Sequence, residues 1–399
     1  MNKETKERIK KFIEEESYIC ARCGYCNTVC PTYIFNKDRW ESVSPRGKLT
    51  LIRKGLKEKN PGKFLDKLFQ CNTCGACKEV CQTDIDLSSL WLELRKEVSH
   101  NTLDSLNQFN TLINKTHNIT DASNDERMRW TKRLRNLSQD LIKEKADVVY
   151  FVGCTSSFFP AVNIIPQSFV QIMDKAEINF TILGGDEWCC GLPQLLAGFA
   201  EDAKKQILHN IEAINKTGAK MLVTTCPGCF RIFNKEYREI LNLNDKNTEN
   251  KNIEMNFEVL HSTEFIEKLI NDDKIKFKSN EFKDNVITYH DPCDLGRHSG
   301  IYESPRRIIN NIPKISFKEL ANSGEECVCC GAGGDLGITN PELSAEISKQ
   351  KILEIKETGA DVVISACQTC KRNIRTAAMK EKEKLKVLDI AEFVLRAIE

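Results

Sequence analysis

From residue 147 onward, short apolar runs alternate with longer segments in which apolar residues recur every three or four positions. The short runs predict buried β-strands at residues 147–152, 178–183, 221–224, 286–289, 315–317 and 362–364. The longer segments predict helices, among them residues 203–216 and 343–357. Because strands alternate with helices, this part of the chain favours α/β layers built around parallel sheets.

The first hundred residues show helical spacing instead. Apolar residues from Leu87 to Val98 lie on one face of a predicted helix, and Pro45 stands where a second helix would begin. Residues 101–146 are polar and rich in Asn, Lys and Arg, which predicts a linker whose charged side chains form a solvated helical face.

An internal repeat divides the remainder of the chain. Residues 218–223, Gly-Ala-Lys-Met-Leu-Val, resemble residues 359–364, Gly-Ala-Asp-Val-Val-Ile, and residues 259–265 resemble residues 387–393. The repeat predicts two similar α/β domains with parallel sheets at residues 147–275 and 283–399. They follow a helical domain at residues 1–100 and the linker at residues 101–146.

Charge and hydropathy exclude several classes of protein. The 399 residues include 58 Lys+Arg and 57 Asp+Glu, so the net charge of +1 lacks the basic surplus of a nucleic-acid-binding chain. No run approaches the roughly 18 apolar residues of a transmembrane helix, and the charged segment Met1–Lys11 lacks the apolar core of a secretory signal. We expect a protein that is free in the cytoplasm or held at the cytoplasmic face of a membrane by a partner protein.

The chain has 19 cysteines, which favours metal binding over a disulfide scaffold in a protein of this length. Eight of them form two identical runs, Cys-x2-Cys-x2-Cys-x3-Cys. This spacing is typical of two cubane [4Fe–4S] clusters in which the fourth cysteine of each run binds the other cluster. Zinc fits poorly, because its knuckles supply two ligands each. The predicted ligand sets are Cys20, Cys23, Cys26 and Cys81 for one cubane, and Cys71, Cys74, Cys77 and Cys30 for the other.

Matching glycines, Gly24 and Gly75, occur in the two runs. A glycine here allows the backbone to pass close to the inorganic sulfide. The first domain is therefore predicted to be a two-cluster ferredoxin domain. Its 40 residues between the runs, Pro31–Gln70, make it mostly helical rather than a compact β-hairpin ferredoxin.

Ten further cysteines lie at matching positions in the two halves of the repeat. The two sets are Cys154, Cys189, Cys190, Cys226 and Cys229, and then Cys293, Cys329, Cys330, Cys367 and Cys370. The gaps are 34 and 35 residues in the first set and 35 and 36 in the second. Four of these cysteines directly follow predicted strands, where open α/β sheets bind ligands. Since five thiolates exceed the four that a cubane uses, each set indicates a cluster of unusual shape, with zinc as the alternative. Cys327 remains as a free, partly buried thiol.

Three segments give a resemblance to a known family. They are residues 186–191, Asp-Glu-Trp-Cys-Cys-Gly; residues 289–298, which contain Tyr-His-Asp-Pro-Cys and Leu-Gly-Arg-His; and residues 329–334, Cys-Cys-Gly-Ala-Gly-Gly. Together with the two runs, they make residues 18–399 resemble the D subunits of heterodisulfide reductases. The duplicated cysteine-rich domain is also similar to that of the iron–sulfur subunits of glycolate and lactate oxidases. Three positions depart from the pattern: Gln368 and Asp294 stand where proline and histidine are common, and Gln82 follows Cys81 where Pro31 follows Cys30.

The resemblance implies four [4Fe–4S] clusters, two cubane and two non-cubane. Each non-cubane cluster would be held by one of the two five-cysteine sets. It implies an enzyme of methanogenesis that takes electrons from a b-type cytochrome membrane subunit or a flavoprotein. The cubanes would pass the electrons to the non-cubane clusters, which would reduce a small-molecule disulfide of the CoM-S-S-CoB type to two thiols. The alternative is an electron-transfer subunit of an FAD-linked glycolate or D-lactate dehydrogenase, in which the same clusters only relay electrons.

Four cationic side chains follow cysteines of the second set and are candidate contacts for an anionic substrate: Arg297, His298, Lys371 and Arg372. Helix-start and salt-bridge roles are equally open for them. We expect His290 to be a hydrogen-bonded core residue, and Trp188 and Trp91 to be packing residues rather than electron relays.

Overall fold

The computed structural model describes residues 3–134, 137–238, 254–278 and 281–398. Its first part is helical, as predicted. Pro45 occupies the first turn of its helix, and the N-cap Ser44 Oγ accepts a hydrogen bond from the Gly47 N–H at 3.0 Å. The α-helices of this part are Lys3–Ile19, Tyr25–Thr28, Pro31–Ile34, Pro45–Arg53, Leu56–Lys59, Pro61–Phe69, Ala76–Glu79 and Leu87–Glu97.

The two runs of cysteines turn at Gly24 and Gly75, whose φ angles are 88° and 80°. These left-handed conformations favour glycine, which is a backbone reason for the matched glycines; the close approach to sulfide stays a prediction. A Cβ at Gly75 would stand 3.5 Å from the His298 ring, so this turn also lies against the second cysteine-rich domain.

Two four-stranded parallel sheets follow, and their topologies are identical. The strands are β1 Val148–Phe151, β2 Phe180–Thr181, β3 Met221–Thr224, β4 Glu258–His261, β5 Val286–His290, β6 Ser316–Phe317, β7 Val362–Ser365 and β8 Lys386–Asp389. The first sheet has the order β2-β1-β3-β4 and the second has the order β6-β5-β7-β8. The repeat and the parallel α/β fold are therefore confirmed.

The edge strands β4 and β8 were not among the strands that apolar runs predict, although both lie in the repeated segments. Each continues directly into a helix with a capping box, formed by His261 and Glu264 or by Asp389 and Glu392. The longer α-helices around the sheets are Ile164–Lys175, Ala200–Lys216, Ser262–Asn271, Glu303–Asn311, Pro341–Glu357, Gln368–Lys380 and Ile390–Ala397.

The two cysteine-rich domains share one hydrophobic core. Phe169 from helix Ile164–Lys175 and Phe393 from helix Ile390–Ala397 belong to the same buried cluster as Tyr150 of β1 and Tyr289 of β5. Helix Ile164–Lys175 packs directly on helix Ile390–Ala397. Because this core crosses the predicted boundary near residues 275–283, the two sheets are held against each other by packing.

The segment expected to be a linker is packed against the rest of the molecule: Leu106 belongs to the ferredoxin core, and Trp130 to the core shared by the two sheets. It contains the α-helix Asp104–Thr116 and the 3-10 helix Asn124–Arg133. Leu106, Ile113, Arg127 and Trp130 are all buried. Charged residues such as Lys115, Arg129 and Lys132 are exposed on the outer side of these helices, whereas the apolar residues and Arg127 point inward.

Throughout the four described ranges, no helix combines the length and the apolar character needed to cross a bilayer.

Candidate functional site

The second ferredoxin run and Cys30 surround one small pocket. Its lining includes Cys30, Cys71, Cys74 and Cys77, together with Lys48. Burial raises the pKa of Cys30 to about 11, and Lys48 opposes this shift. The buried Lys48 ammonium donates to the Gln70 carbonyl at 2.9 Å and so supplies a fixed positive charge beside four thiols. Four thiols beside a buried cation suit a cluster that is bound by thiolates, because such a cluster carries negative charge.

The first run lies closer to the surface. Cys23 is exposed, whereas Cys26 is buried and has its pKa raised to about 12 by that burial. Cys20, Cys23 and Cys30 are near enough to add to the shift at Cys26. Cys81, the predicted fourth ligand of this cluster, receives the Ile85 N–H on its Sγ at 3.4 Å, and its assignment to the cluster stays a prediction.

Each five-cysteine set gathers at the carboxyl edge of its own sheet. In the first half, Cys154 lies beside Cys189, and Cys229 lies beside both Cys190 and Cys226, close enough for each thiol to shift the pKa of its neighbour. The second half repeats this pattern: Cys329 contacts Cys293, and Cys370 contacts Cys330 and Cys367. The Sγ atoms of Cys330 and Cys370 are 3.2 Å apart.

Both five-cysteine sets line the same cavity, which has a volume of about 380 Å³. This follows from the shared core, because the two sheets present their carboxyl edges to each other. Phe109, Phe159, Leu192 and Ile338 contribute apolar walls. The cavity is large enough for a small organic molecule that would meet thiols from both halves.

A buried arginine stands behind the first set. Arg127 donates to Glu187 Oε1 at 2.8 Å, and its Nη2 lies 3.5 Å from Cys154 Sγ. Glu187 also accepts the Val152 and Gly153 N–H groups at 2.8 and 2.9 Å. The first set thus has a fixed cation at its back, whose counter-ion holds the backbone just before Cys154. Arg127 is absent from the sequence-based candidates because its partner lies 60 residues away.

Different groups stand behind the second set. Cys327 is buried, and its Sγ lies 3.6 Å from His290 Nδ1 and 3.9 Å from Lys351 Nζ. Burial raises the pKa of Cys327, but Lys351 and His290 outweigh it and lower the pKa below its usual value. A ring nitrogen of His290 is also within 4.8 Å of the sulfurs of Cys330 and Cys370. The leftover cysteine is therefore a fully buried thiol in a charged cluster, rather than an isolated one.

The ferredoxin domain meets the second set at Cys74, whose thiol lies close enough to that of Cys329 to shift its pKa. Asn72 Nδ2 donates to the Gly331 carbonyl at 2.9 Å, and Arg95 Nη1 donates to the Gly334 carbonyl at 3.1 Å. A Cβ at Gly334 would stand 2.2 Å from the Cys71 carbonyl oxygen, which explains a glycine at this close approach. The second cubane pocket and the cavity therefore adjoin.

Two of the four candidate anion contacts form this interface instead of lining the cavity. Arg297 Nε donates to the Cys74 carbonyl at 2.7 Å, and its Nη1 donates to the Cys327 carbonyl at 2.7 Å. His298 Nε2 lies 2.7 Å from the Thr73 carbonyl oxygen. Both side chains are already engaged, so the substrate contact expected of them does not match their placement.

The other two basic residues differ from each other. Lys371 is buried and ion-paired with Glu392, so it has no free charge to offer. Arg372 lines the cavity, with its guanidinium carbon 4.1 Å from the centre of the Phe159 ring. Among the described residues Arg372 has no acidic partner, and burial lowers its pKa. Arg372 alone keeps the predicted position.

An acidic residue that sequence reasoning missed also lines the cavity. Asp335 follows the glycines of residues 331–334 with a φ of 58°, and its Oδ2 is buried without a hydrogen-bond partner among the described residues. Burial raises the pKa of Asp335 to about 7, and the charge of Arg95 only partly opposes this. Asp294 lines the cavity as well, but it is ion-paired with Arg231 at 3.0 Å.

Trp188 and Trp91 are packed as expected. Trp188 is stacked between His117 and His209, with both ring-centroid distances at 3.6 Å. Trp91 is 1% exposed within the ferredoxin core.

Comparison with known proteins agrees with a ferredoxin domain followed by two cysteine-rich domains. A family model described as a 4Fe-4S dicluster domain matches residues 16–85, and a model described as a cysteine-rich domain matches residues 148–234 and 287–375. The chain is 34% identical to the D subunit of the dihydromethanophenazine:CoB–CoM heterodisulfide reductase of Methanosarcina acetivorans, over 95% of this chain and 93% of that protein.

More distant relatives cover the same length of this chain. The B subunit of the fumarate reductase (CoM/CoB) of Methanothermobacter marburgensis is 25% identical, over 94% of this chain and 71% of its own length. The probable iron-sulfur-binding oxidoreductase FadF of Bacillus subtilis is 24% identical, over 96% of this chain and 60% of its own length. A crystal structure of a hypothetical protein from Helicobacter pylori covers the whole chain with a TM-score of 0.61 at 13% identity, which shows the fold alone.

Proposed function

Because the chain belongs to the family of heterodisulfide reductase D subunits, we propose that this iron–sulfur oxidoreductase reduces a small-molecule disulfide to two thiols. One observation carries the proposal: the two five-cysteine sets line a single cavity. A disulfide has two sulfur atoms that must each be taken up as the bond breaks. With an iron–sulfur cluster held by each set, the cavity would offer one half to each sulfur.

We assign four [4Fe–4S] clusters to the cysteine sets. The two cubanes would use Cys20, Cys23, Cys26 and Cys81, and Cys71, Cys74, Cys77 and Cys30. The two non-cubane clusters would use the five cysteines of each half. When bound, such clusters supply single electrons and irons with affinity for sulfur. Lys48, Arg127 and Lys351 support the assignment, because each places a buried positive charge near one of the thiol sets.

The electron donor is proposed to be a b-type cytochrome membrane subunit or a flavoprotein, with the chain working at the cytoplasmic side of the membrane. Cys23 is exposed, so the first run offers an entry point at the surface. The contact between Cys74 and Cys329 supports an internal route from the ferredoxin domain to the cavity.

Two side chains of the cavity would act on the substrate directly. The unpaired guanidinium of Arg372 would bind an anionic group of the disulfide. The carboxyl group of Asp335, protonated near neutral pH, would give a proton to a departing thiolate. The overall reaction consumes two electrons and two protons, and solvent would reprotonate Asp335 through the open side of the cavity.

Reduction of CoM-S-S-CoB by a reduced dye tests the function on the purified chain without a flavoprotein. We expect dye oxidation that depends on the disulfide and stops when the disulfide is consumed. If no disulfide elicits dye oxidation, and only an FAD-dependent lactate or glycolate dehydrogenase restores turnover, the chain is an electron relay and the proposal is wrong.

Arg372→Ala is expected to raise the KM for an anionic disulfide by about ten- to a hundredfold with little change in kcat, since a charge-assisted contact contributes about 1.5–3 kcal/mol. Steady-state kinetics with the reduced dye measure the effect. Arg375→Ala is the matched control, because Arg375 is exposed on the same helix and donates to the Ala161 carbonyl instead. Equal KM values for the two variants would remove Arg372 from the substrate site.

Asp335→Asn is expected to abolish the fall in activity that the wild-type protein shows as the pH rises through about 7. A general acid works in its protonated form, so its contribution is present below its pKa and is lost above it. Asparagine tolerates the left-handed backbone at this position, so the fold is expected to persist. Asp294→Asn is the control and should keep the descending limb. A wild-type profile that is flat between pH 6 and 8 would contradict the role.

A further inference from the structure

Gln368 connects the two halves of the molecule from within the second cysteine set. Its side chain is 0% exposed and crosses to the first half. Its Nε2 donates to the Val152 carbonyl at 2.9 Å and to Thr225 Oγ1 at 2.8 Å, and its Oε1 accepts the Ser156 N–H at 3.1 Å. A buried amide with both donors and its acceptor engaged is a specific, costly group to replace.

The partners of this amide all lie beside cysteines of the first set. Val152 and Ser156 flank Cys154 by two residues on either side, and Thr225 directly precedes Cys226. The backbone of Gln368 itself lies between Cys367 and Cys370. One side chain therefore joins the loop of the second set to two loops of the first set.

The contact is asymmetric between the halves. The equivalent position of the first half is Pro227, which also begins a helix after its cysteine and has no side-chain donor. Approach at this point is close: a Cβ at Gly153 would stand 3.6 Å from Gln368 Oε1 and 3.3 Å from Cys229 Sγ. The amide thus fills the space between the two sets.

We propose that Gln368 is a positioning residue that fixes the separation of the two five-cysteine sets across the cavity, and thereby the span of disulfide that the cavity accepts. Only the statement about the span of the disulfide rests on the proposed function; the statement about the separation of the two sets does not. The shared core holds the sheets together, whereas the Gln368 amide sets the distance between the loops that carry the thiols.

Gln368→Pro is the informative variant, because it copies the first half. Cys367 has φ −153° and ψ 121°, an extended conformation that suits the residue before a proline, and position 368 is the first of its helix. The helix is therefore kept while all three hydrogen bonds are lost. Gln368→Met, which keeps the length of the side chain without its polar atoms, is a second variant in case the first does not fold.

The magnetic interaction between the reduced iron centres of the two sets is the primary readout, measured by electron paramagnetic resonance on the full chain. We expect unchanged iron content, an altered magnetic interaction, and a kcat/KM for the disulfide lowered about tenfold or more, since small misplacements of reacting groups have large kinetic effects. Gln167→Leu is the control: it removes another buried amide, which donates to the Trp130 carbonyl at 2.7 Å, at a site that does not line the cavity.

An unchanged magnetic interaction in both Gln368 variants would overturn the proposal. So would loss of iron from both variants, because Gln368 would then be needed for binding the clusters rather than for spacing them. An equal change of the magnetic interaction in the Gln167 variant would mean that loss of any buried amide causes it by general destabilisation, which would also overturn the proposal. If the wild-type protein reduces no disulfide, the proposed function fails, but the magnetic measurement still decides whether Gln368 sets the spacing.

Discussion

Cys330→Ala is expected to remove about 4 of the about 16 irons that four clusters hold and to abolish disulfide reduction by a reduced dye. Cys330 is buried, is the chain neighbour of Cys329, and has its sulfur 3.2 Å from that of Cys370, so it stands within the second set. Most cysteines of the cubane sets belong to the ferredoxin core, and none contacts Cys330 in the described hydrogen bonds, so the cubanes should keep their iron. Iron per chain after anaerobic purification and the dye assay measure both effects.

Cys327→Ala is the matched control for this experiment. Cys327 is also buried and lies only three residues earlier, but its sulfur faces His290 and Lys351. We expect this variant to retain its full iron content. Equal iron loss in the two variants would mean that the second ligand set is misassigned, and so would a Cys330 variant that keeps all its iron.

Arg127→Met is expected to lower the free energy of unfolding by about 3–5 kcal/mol, because it leaves the Glu187 carboxylate buried without its counter-ion. Both side chains are only 1% exposed. The loss also removes the cation 3.5 Å from Cys154 Sγ, so iron in the first set should bind more weakly. Guanidinium denaturation of the two proteins at pH 7 measures the change in stability.

The double variant Arg127→Met, Glu187→Gln separates the ion pair from simple loss of packing. A neutral glutamine can still accept a hydrogen bond from Val152 or Gly153, so much of the stability should return. If the single variant unfolds at the same denaturant concentration as the wild-type protein, the pair contributes nothing, and this account of the first set is wrong.

Strands buried along their whole length could be predicted from sequence, and so could the partly exposed edge strand β6. β1 and β7 are continuous apolar runs, and every residue of each is buried. The edge strand β4 begins with the exposed Glu258, and β8 begins with the exposed Lys386, so neither shows an uninterrupted apolar run. They could be recognised only as repeats of one another.

The cysteine sets could be predicted because spacing along the chain carries their chemistry. The direction in which a charged side chain points does not depend on spacing. Arg297 and Arg372 have the same charge and each follows a cysteine of the second set, yet one holds a carbonyl of the ferredoxin domain and the other lines the cavity. Arg127 and Glu187 were missed for a related reason, because their pairing is set by tertiary packing.

The contact between the ferredoxin domain and the second cysteine-rich domain is made by side chains that hold main-chain oxygens. Asn72 and Arg95 reach carbonyls of one domain, and Arg297 and His298 reach carbonyls of the other. A carbonyl is present whatever residue bears it, so each bond depends on the identity of one residue rather than two. Compensating pairs of substitutions are then unnecessary across this boundary, and residue covariation between the two domains should be weak where they meet most closely.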